Sequence, residues 1–159
     1  MEKQQIDNLY TTNDKEIMRL ANEARLPGKN RIEEIRNFAL LSGFKRIGIA
    51  NCMAVQKEAN MLVEMLSADL EVFSIDCKCG KISACEMLDD ENAKGLSCNP
   101  SGQADYLAQN NTQLNISMGL CVGHDMVFNS KSAVPVTTLI VKDRQHKHNP
   151  IESFNQKTK

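Results

Sequence analysis

The residues of this sequence best suited to chemistry are its six cysteines, Cys52, Cys77, Cys79, Cys85, Cys98 and Cys121. A thiolate is a soft ligand for zinc, copper(I) or iron–sulfur clusters and, where its pKa is depressed, a nucleophile. Spacing narrows the choice. No Cys-x-x-Cys pair occurs and Cys77-Lys78-Cys79 is too tight for a zinc knuckle, so a zinc ribbon is disfavoured. Taken singly, each cysteine is as readily a small buried hydrophobe as a ligand. What would set a group of them apart is a shared location. A second constellation is Cys121-Val122-Gly123-His124-Asp125, in which a thiol and an imidazole lie three residues apart. A third is Lys142-Asp143-Arg144 followed by His146-Lys147-His148-Asn149-Pro150. These residues either surround an anionic molecule or form a solvated strand end, and His146 reads as a surface residue.

The elements that must position these residues follow from hydrophobic periodicity. Two N-terminal helices are expected within residues 1–45. The first is capped by Asn13, carries Ile17, Leu20, Ala21 and Ala24 on one face, and stops at Leu26-Pro27-Gly28. The second is capped by Asn30, with Ile32, Ile35, Phe38 and Ala39 on one stripe and Gly43 as its C-terminal stop. From 46 to 142 short apolar runs alternate with helical periodicity. Arg46–Asn51, Leu70–Asp76, Leu114–Leu120 and Pro135–Val141 read as four strands, with a helix over Val55–Leu66 and another over Gln103–Gln109. Residues 78–97 read as a long functional loop with one helical turn at most, the connection before the fourth strand reads as a short crossover, and 143–159 as a polar tail.

Strand, helix and strand in this order predict an α/β domain with an open, mainly parallel four-stranded sheet of Rossmann-like or flavodoxin-like type, flanked by helices. Right-handed crossovers put the C-terminal ends of parallel strands on one edge. Cys52, Cys77 and Cys121 then end strands one, two and three, while Cys98 opens the helix that feeds strand three. All four are expected at the edge where open α/β sheets bind ligands. Four thiolates delivered singly suit a 4Fe–4S cluster, with zinc as the alternative. Cys79 and Cys85, in the loop, are secondary candidates, as is His124 as a nitrogen ligand.

Composition sets the background. A chain of 159 residues with 42% hydrophobic and 25% charged residues and a net charge of −1 is an ordinary globular domain, large enough to need no disulfide framework. The balanced charge argues against a nucleic-acid or anionic-membrane footprint. No stretch approaches the roughly 18 apolar residues of a membrane span, and the polar start is unlike a signal peptide, so a cytoplasmic location is expected. In a reducing compartment thiols are more often metal-binding, catalytic or buried than paired.

Cys98-Asn99-Pro100, Gly119-Leu120-Cys121-Val122-Gly123-His124-Asp125, Pro135-Val136-Thr137, Lys142-Asp143-Arg144 and His148-Asn149-Pro150 together resemble a cysteine-rich domain-of-unknown-function family (DUF1847-like), described as metal-binding proteins of archaea and anaerobic bacteria. The resemblance runs from about Ile32 to Pro150. It implies a metal-associated role for Cys52, Cys77, Cys98 and Cys121, with His124, Lys142, Asp143, Arg144 and His148 as further motif positions, and it brings no reaction with it. Family members often carry an additional cysteine-bearing stretch at their start, whereas the first cysteine here is Cys52, which leaves a second metal site unsupported.

Three functions are therefore expected to compete. One is a metal or iron–sulfur protein with a redox, sensing or small-ligand role, meeting a redox partner or a small anionic ligand held by Lys142, Asp143, Arg144 and His148. Another is a thiol enzyme with Cys121 as nucleophile and His124 as base. The third is a partner-binding module with a structural metal.

Overall fold

A computed structural model describes residues 3–155, which fall into two compact units divided between Phe44 and Lys45. In the first unit, α1 (Lys3–Leu9) buries no residue and for that reason carries no apolar stripe to betray it; it is a helix the periodicity misses. α2 (Thr12–Ala24) begins two residues earlier than a cap at Asn13 would place it. Its cap is Thr11, whose Oγ1 accepts from the Asp14 amide at 3.1 Å while the Asp14 carboxylate accepts from the Thr11 amide at 2.8 Å. That reciprocal box satisfies two orphan amides, which a lone Asn13 cap would not do. α3 (Arg31–Leu41) is capped by Asn30 as expected, buries Ile35 and Ala39, and is followed by Gly43 at φ +69.

The second unit is α/β. Its four strands, β1 (Arg46–Asn51), β2 (Glu71–Asp76), β3 (Leu114–Met118) and β4 (Val136–Ile140), form one open, all-parallel sheet in the order β2-β1-β3-β4. α4 (Gln56–Leu66), reached through a 3-10 turn at Met53–Val55, links β1 to β2. α6 (Pro100–Gln109) links β2 to β3, and α7 (Val122–Lys131) links β3 to β4. Because right-handed crossovers running in opposite directions along a sheet lie on opposite faces, α4 covers one face while α6 and α7 share the other. The connection before β4 is the short crossover anticipated, and it is filled by a full helix that the periodicity left unassigned. Its sequence hid it, since Phe128 is its only buried residue while Val122 and Met126 face water.

Residues 78–97 are more ordered than a loop. They contain a 3-10 turn at Cys79–Lys81, the short helix α5 (Ala84–Leu88) and an antiparallel bridge between Ser83 and Leu96. The chain beyond β4 closes through a turn into α8 (Glu152–Asn155).

Burial explains the middle of the sheet. β3 is buried at every position and β1 at five of six, and the polar residues among them, Asn51, Asn115 and Ser117, are each hydrogen-bonded, as burial on both faces of a parallel sheet requires. Gly48 in β1 is required by contact. A Cβ built there would stand 2.1 Å from Asn115 Oδ1 and 2.8 Å from Leu107, so the missing side chain is what lets α6 and the Asn115 hydrogen bonds close on the sheet.

Candidate thiol site

The C-terminal edge of the sheet is assembled from backbone contacts that put sulfur where the strands stop. Cys52 follows β1, and its amide donates to the Met118 carbonyl of β3 at 2.9 Å. Cys77 follows β2, and the Asn99 amide donates to its carbonyl at 2.8 Å, which fixes Cys98 alongside. Gln103, fully buried in the first turns of α6, donates from Nε2 to Asn51 O at 3.1 Å and Ile75 O at 2.9 Å. One side chain therefore ties the ends of β1 and β2 together beneath the thiols. Asn99 caps α6, accepting from the Gly102 amide at 2.8 Å, and packs so closely on Gly102 that a Cβ there would meet it at 2.2 Å.

Cys121 arrives by another route. β3 ends at Met118, and Gly119 turns the chain at φ +62, with Val55 only 3.1 Å from where its Cβ would be. Both the left-handed backbone and the close packing call for glycine. The turn leaves Cys121 in extended conformation as the residue preceding α7, its carbonyl accepting from the Asp125 amide at 2.8 Å.

Three of the four strand-edge sulfurs come together. The Cys98 thiol lies 3.6 Å from Cys77 Sγ, and Cys52 and Cys98 pack against the apolar cluster that contains Cys77. Cys77 is near enough to Cys52 to help hold its thiol down. Cys121 stands with a different neighbour, Arg144, whose Nη2 is 3.1 Å from its sulfur. Lys142 Nζ is likewise 3.2 Å from Cys52 Sγ. Two cations two residues apart on one segment thus each meet a sulfur.

What holds these cations in place is the segment itself. Asp143 Oδ1 accepts from the amides of Gln145 and His146, both at 2.9 Å, and Oδ2 lies 3.1 Å from His146 Nδ1. The Asp143 amide donates to His148 Nδ1 at 3.2 Å, while the His148 amide donates to the Asp143 carbonyl at 2.9 Å. Lys147 and His148 take left-handed φ of 52 and 68, uncommon for residues with a Cβ. Asp143 and His148 are therefore bonded to each other's backbone, and Lys142 and Arg144 are the residues that reach outward. The amides and imidazole around Asp143 hold its carboxyl below the usual carboxylate range, the His146 amide contributing most.

The thiols differ in acidity for physical reasons. Burial pushes the Cys52 thiol up, but the Ala54 amide, Lys142 and Cys77 together outweigh it, and the thiol ends below its ordinary value. Cys77 is 3% exposed; burial drives it up to about 12, with the Cys98 and Cys52 thiols adding to the rise. Cys79 is raised by burial and by Asp76, and its thiol sits 3.6 Å from the Asn99 carbonyl, beside the cluster. Cys85 is exposed on α5. His124 lies in the first turn of α7 and makes no hydrogen bond with another described residue, Cys121 included. Among the described residues, no group of three or more His, Cys, Asp or Glu side chains stands in metal-holding geometry as it is. No helix among them is long and apolar enough to cross a membrane. Next to Lys142 lies a cavity of ≈ 190 Å³ whose walls are mainly Leu120, Val122, Met126 and Ile140.

The cation–sulfur contacts were invisible to the sequence because Lys142 and Cys52 are 90 positions apart and obey no local period. The clasp around Asp143 had one readable signal, an Asp followed by backbone amides two and three residues on.

Comparison with known proteins places the chain in a family. The chain is 45% identical over 125 residues to the uncharacterized protein MJ0455 of the archaeon Methanocaldococcus jannaschii, an alignment covering 76% of this chain. The alignment spans 64% of that relative's own length, less than two thirds of it. No solved structure matches at a significant level. The family model for the protein of unknown function DUF1847 matches residues 1–139, most of the α/β unit included, and the chain belongs to that family.

Proposed function

We propose that the chain holds a soft metal centre on thiolates, foremost an iron–sulfur cluster, with Cys52, Cys77 and Cys98 as the inner set and Cys121 as the fourth ligand. The observation that carries this reading is the gathering of Cys52, Cys77 and Cys98 at one sheet edge, with Cys77 and Cys98 sulfurs 3.6 Å apart. The donor set fits the group. All-thiolate ligation selects iron–sulfur or zinc centres, and the negative charge of several thiolates is costly to gather unless cations stand nearby. Lys142 and Arg144 supply two such cations at hydrogen-bonding distance from sulfur. When bound, a cluster would supply one-electron redox chemistry or an open coordination position. The chain's own residues would bind it, neutralise part of its charge, and, through Asp143 and His148, keep the two cations in register. Zinc is the alternative occupant.

Its role is redox transfer, sensing or binding of a small ligand, and a small anion would approach over Arg144, which is exposed. Anaerobic purification followed by metal analysis, acid-labile sulfide assay and a visible spectrum tests the reading. Iron with matching sulfide is expected, and Cys98→Ser should lose most of it. Unchanged metal content in both Cys98→Ser and Cys52→Ser would overturn the ligand assignment.

A second reading, a thiol enzyme with Cys121 as nucleophile, draws its support from the Arg144 guanidinium, which would favour the thiolate. His124, the base it would use, is on the same helical turn but does not bond to the sulfur. Selective alkylation of Cys121 in metal-free protein would favour this reading over the first.

A further inference from the structure

Within the thiol group, Cys77 and Cys98 are the two sulfurs that no cation holds, since Lys142 sits on Cys52 and Arg144 on Cys121. They are 3.6 Å apart, and the Asn99 amide already ties the backbone after Cys98 to the Cys77 carbonyl at 2.8 Å. A disulfide requires sulfurs at about 2.05 Å, so closure needs side-chain rotation and little backbone travel. We propose that Cys77 and Cys98 form a reversible disulfide that gates the thiolate centre. The gating deepens the thiolate-centre reading and rests on it; the disulfide itself does not.

The oxidant is a peroxide, and the step balances. The Cys98 sulfur, half-buried where Cys77 is sealed, attacks one oxygen of hydrogen peroxide and breaks the O–O bond; the thiol proton goes to the departing hydroxide, giving a sulfenic acid and water. The Cys77 sulfur then attacks the sulfenic sulfur and expels a second hydroxide, which takes the Cys77 proton and leaves as water. Two thiols and one peroxide become one disulfide and two waters, with two electrons passing from sulfur to oxygen. If Cys52 is oxidised first and is trapped by Cys77, the neighbouring Cys98 attacks Cys77 and expels Cys52 as a thiolate facing the Lys142 ammonium. A stabilised thiolate is the better leaving group, so exchange among the three sulfurs comes to rest on the same pair.

Two consequences follow for the site. Oxidation withdraws two of the four sulfurs at once, and it closes the segment 78–97, with Cys79 and Cys85 on it, into a covalent loop.

The test uses the full chain, purified anaerobically and divided into metal-free and metal-loaded portions. Each receives hydrogen peroxide, is allowed to equilibrate, and is mapped by differential alkylation and peptide mass spectrometry, with metal release followed in the loaded portion. The expected result is a Cys77–Cys98 disulfide as the main product, with alkylation of those two cysteines, read after denaturation, cut by at least about fivefold, reversal by dithiothreitol, and metal released in step. Cys52→Ser should still form it and Cys98→Ser should not. A resting disulfide between other cysteines, or sulfinic acids in its place, would overturn the proposal. If the reduced protein binds no metal yet forms this disulfide, the modification stands and the thiolate-centre reading fails. If it binds metal and the pair stays reduced under peroxide, the reverse holds.

Discussion

The two edges of the same parallel sheet are finished in opposite ways. At the N-terminal edge, Gln113 Oε1 accepts from the amides of Lys45 and Arg46 at 2.8 and 3.2 Å, and the Gln113 amide donates to the Arg46 carbonyl at 2.8 Å. The Arg46 guanidinium pairs with Glu71 at 2.8 Å, donates to Asn110 O at 3.2 Å and lies over the Phe73 ring. Each polar group there has an oxygen or a nitrogen as its partner, and the edge is closed. At the C-terminal edge the two cations have sulfurs as partners, and burial and charge split the acidities of neighbouring thiols in opposite directions. One end of the sheet is spent on holding the strands in register, the other on bringing cations to sulfurs. Stability and thiol reactivity should therefore respond to different residues.

The largest effect should come from the position both edges depend on. Gly48→Ala places a Cβ 2.1 Å from Asn115 Oδ1, and the resulting overpacking should cost about 3 kcal/mol in denaturant unfolding. A loss under about 0.5 kcal/mol would mean that α6 can retreat from β1. Next, Lys142→Met removes a cation from Cys52 while keeping the length of the side chain. Alkylation of Cys52 at neutral pH should slow by about tenfold, the size of one charge-assisted hydrogen bond, and unfolding should barely change. The sign follows from the thiolate fraction: a lowered pKa populates thiolate at lower pH, so in the wild type Cys52 should reach half-maximal alkylation below the pH of an ordinary thiol, whereas Cys77 should reach half-maximal reaction with an external reagent only as pH approaches about 12, its attack on an adjacent sulfur being favoured instead by proximity. A pH profile that puts the two thiols together would erase the difference between the edges. The smallest effect belongs to Gln113→Ala, expected to lower stability by about 1 kcal/mol and to leave the alkylation of every cysteine as it was. A change in Cys52 reactivity in that variant would show that the edges are coupled through the sheet.

Much of this arrangement was legible before any coordinates. β1 was expected at Arg46–Asn51 and stands there, the other strands fall within two residues of expectation, and the parallel rule correctly carried all four strand-edge cysteines to one end. Asn30 and Gly43 were readable because a cap and a left-handed stop are local devices. What escaped had no local signature. α1 and α7 bury too little to show a period, and Thr11 displaced Asn13 because a reciprocal box outcompetes a single acceptor. The site divided along the same line. Placement at the edge could be deduced from topology, but the pairing of Lys142 with Cys52 and of Arg144 with Cys121 depends on tertiary contacts that spacing does not encode, and the Asp143–His148 turn that holds the two cations, though local, runs through left-handed backbone at Lys147 and His148 that those residue types do not announce.

The amide of Cys52 bonded to the carbonyl of Met118 has a consequence in time. A zinc knuckle draws its ligands from one short stretch and is organised as soon as that stretch is made. Here the sulfurs that meet are contributed by turns scattered from residue 52 to residue 98; Cys52 and Cys77 become neighbours only after β1 has paired with β2, and the pairing of β1 with β3 fixes the Cys52 amide. Contacts of such high sequence separation form slowly and late. An ion or cluster held by these thiols, as proposed, would not template the chain around itself; it would be delivered to a domain already folded, a site filled rather than one that nucleates.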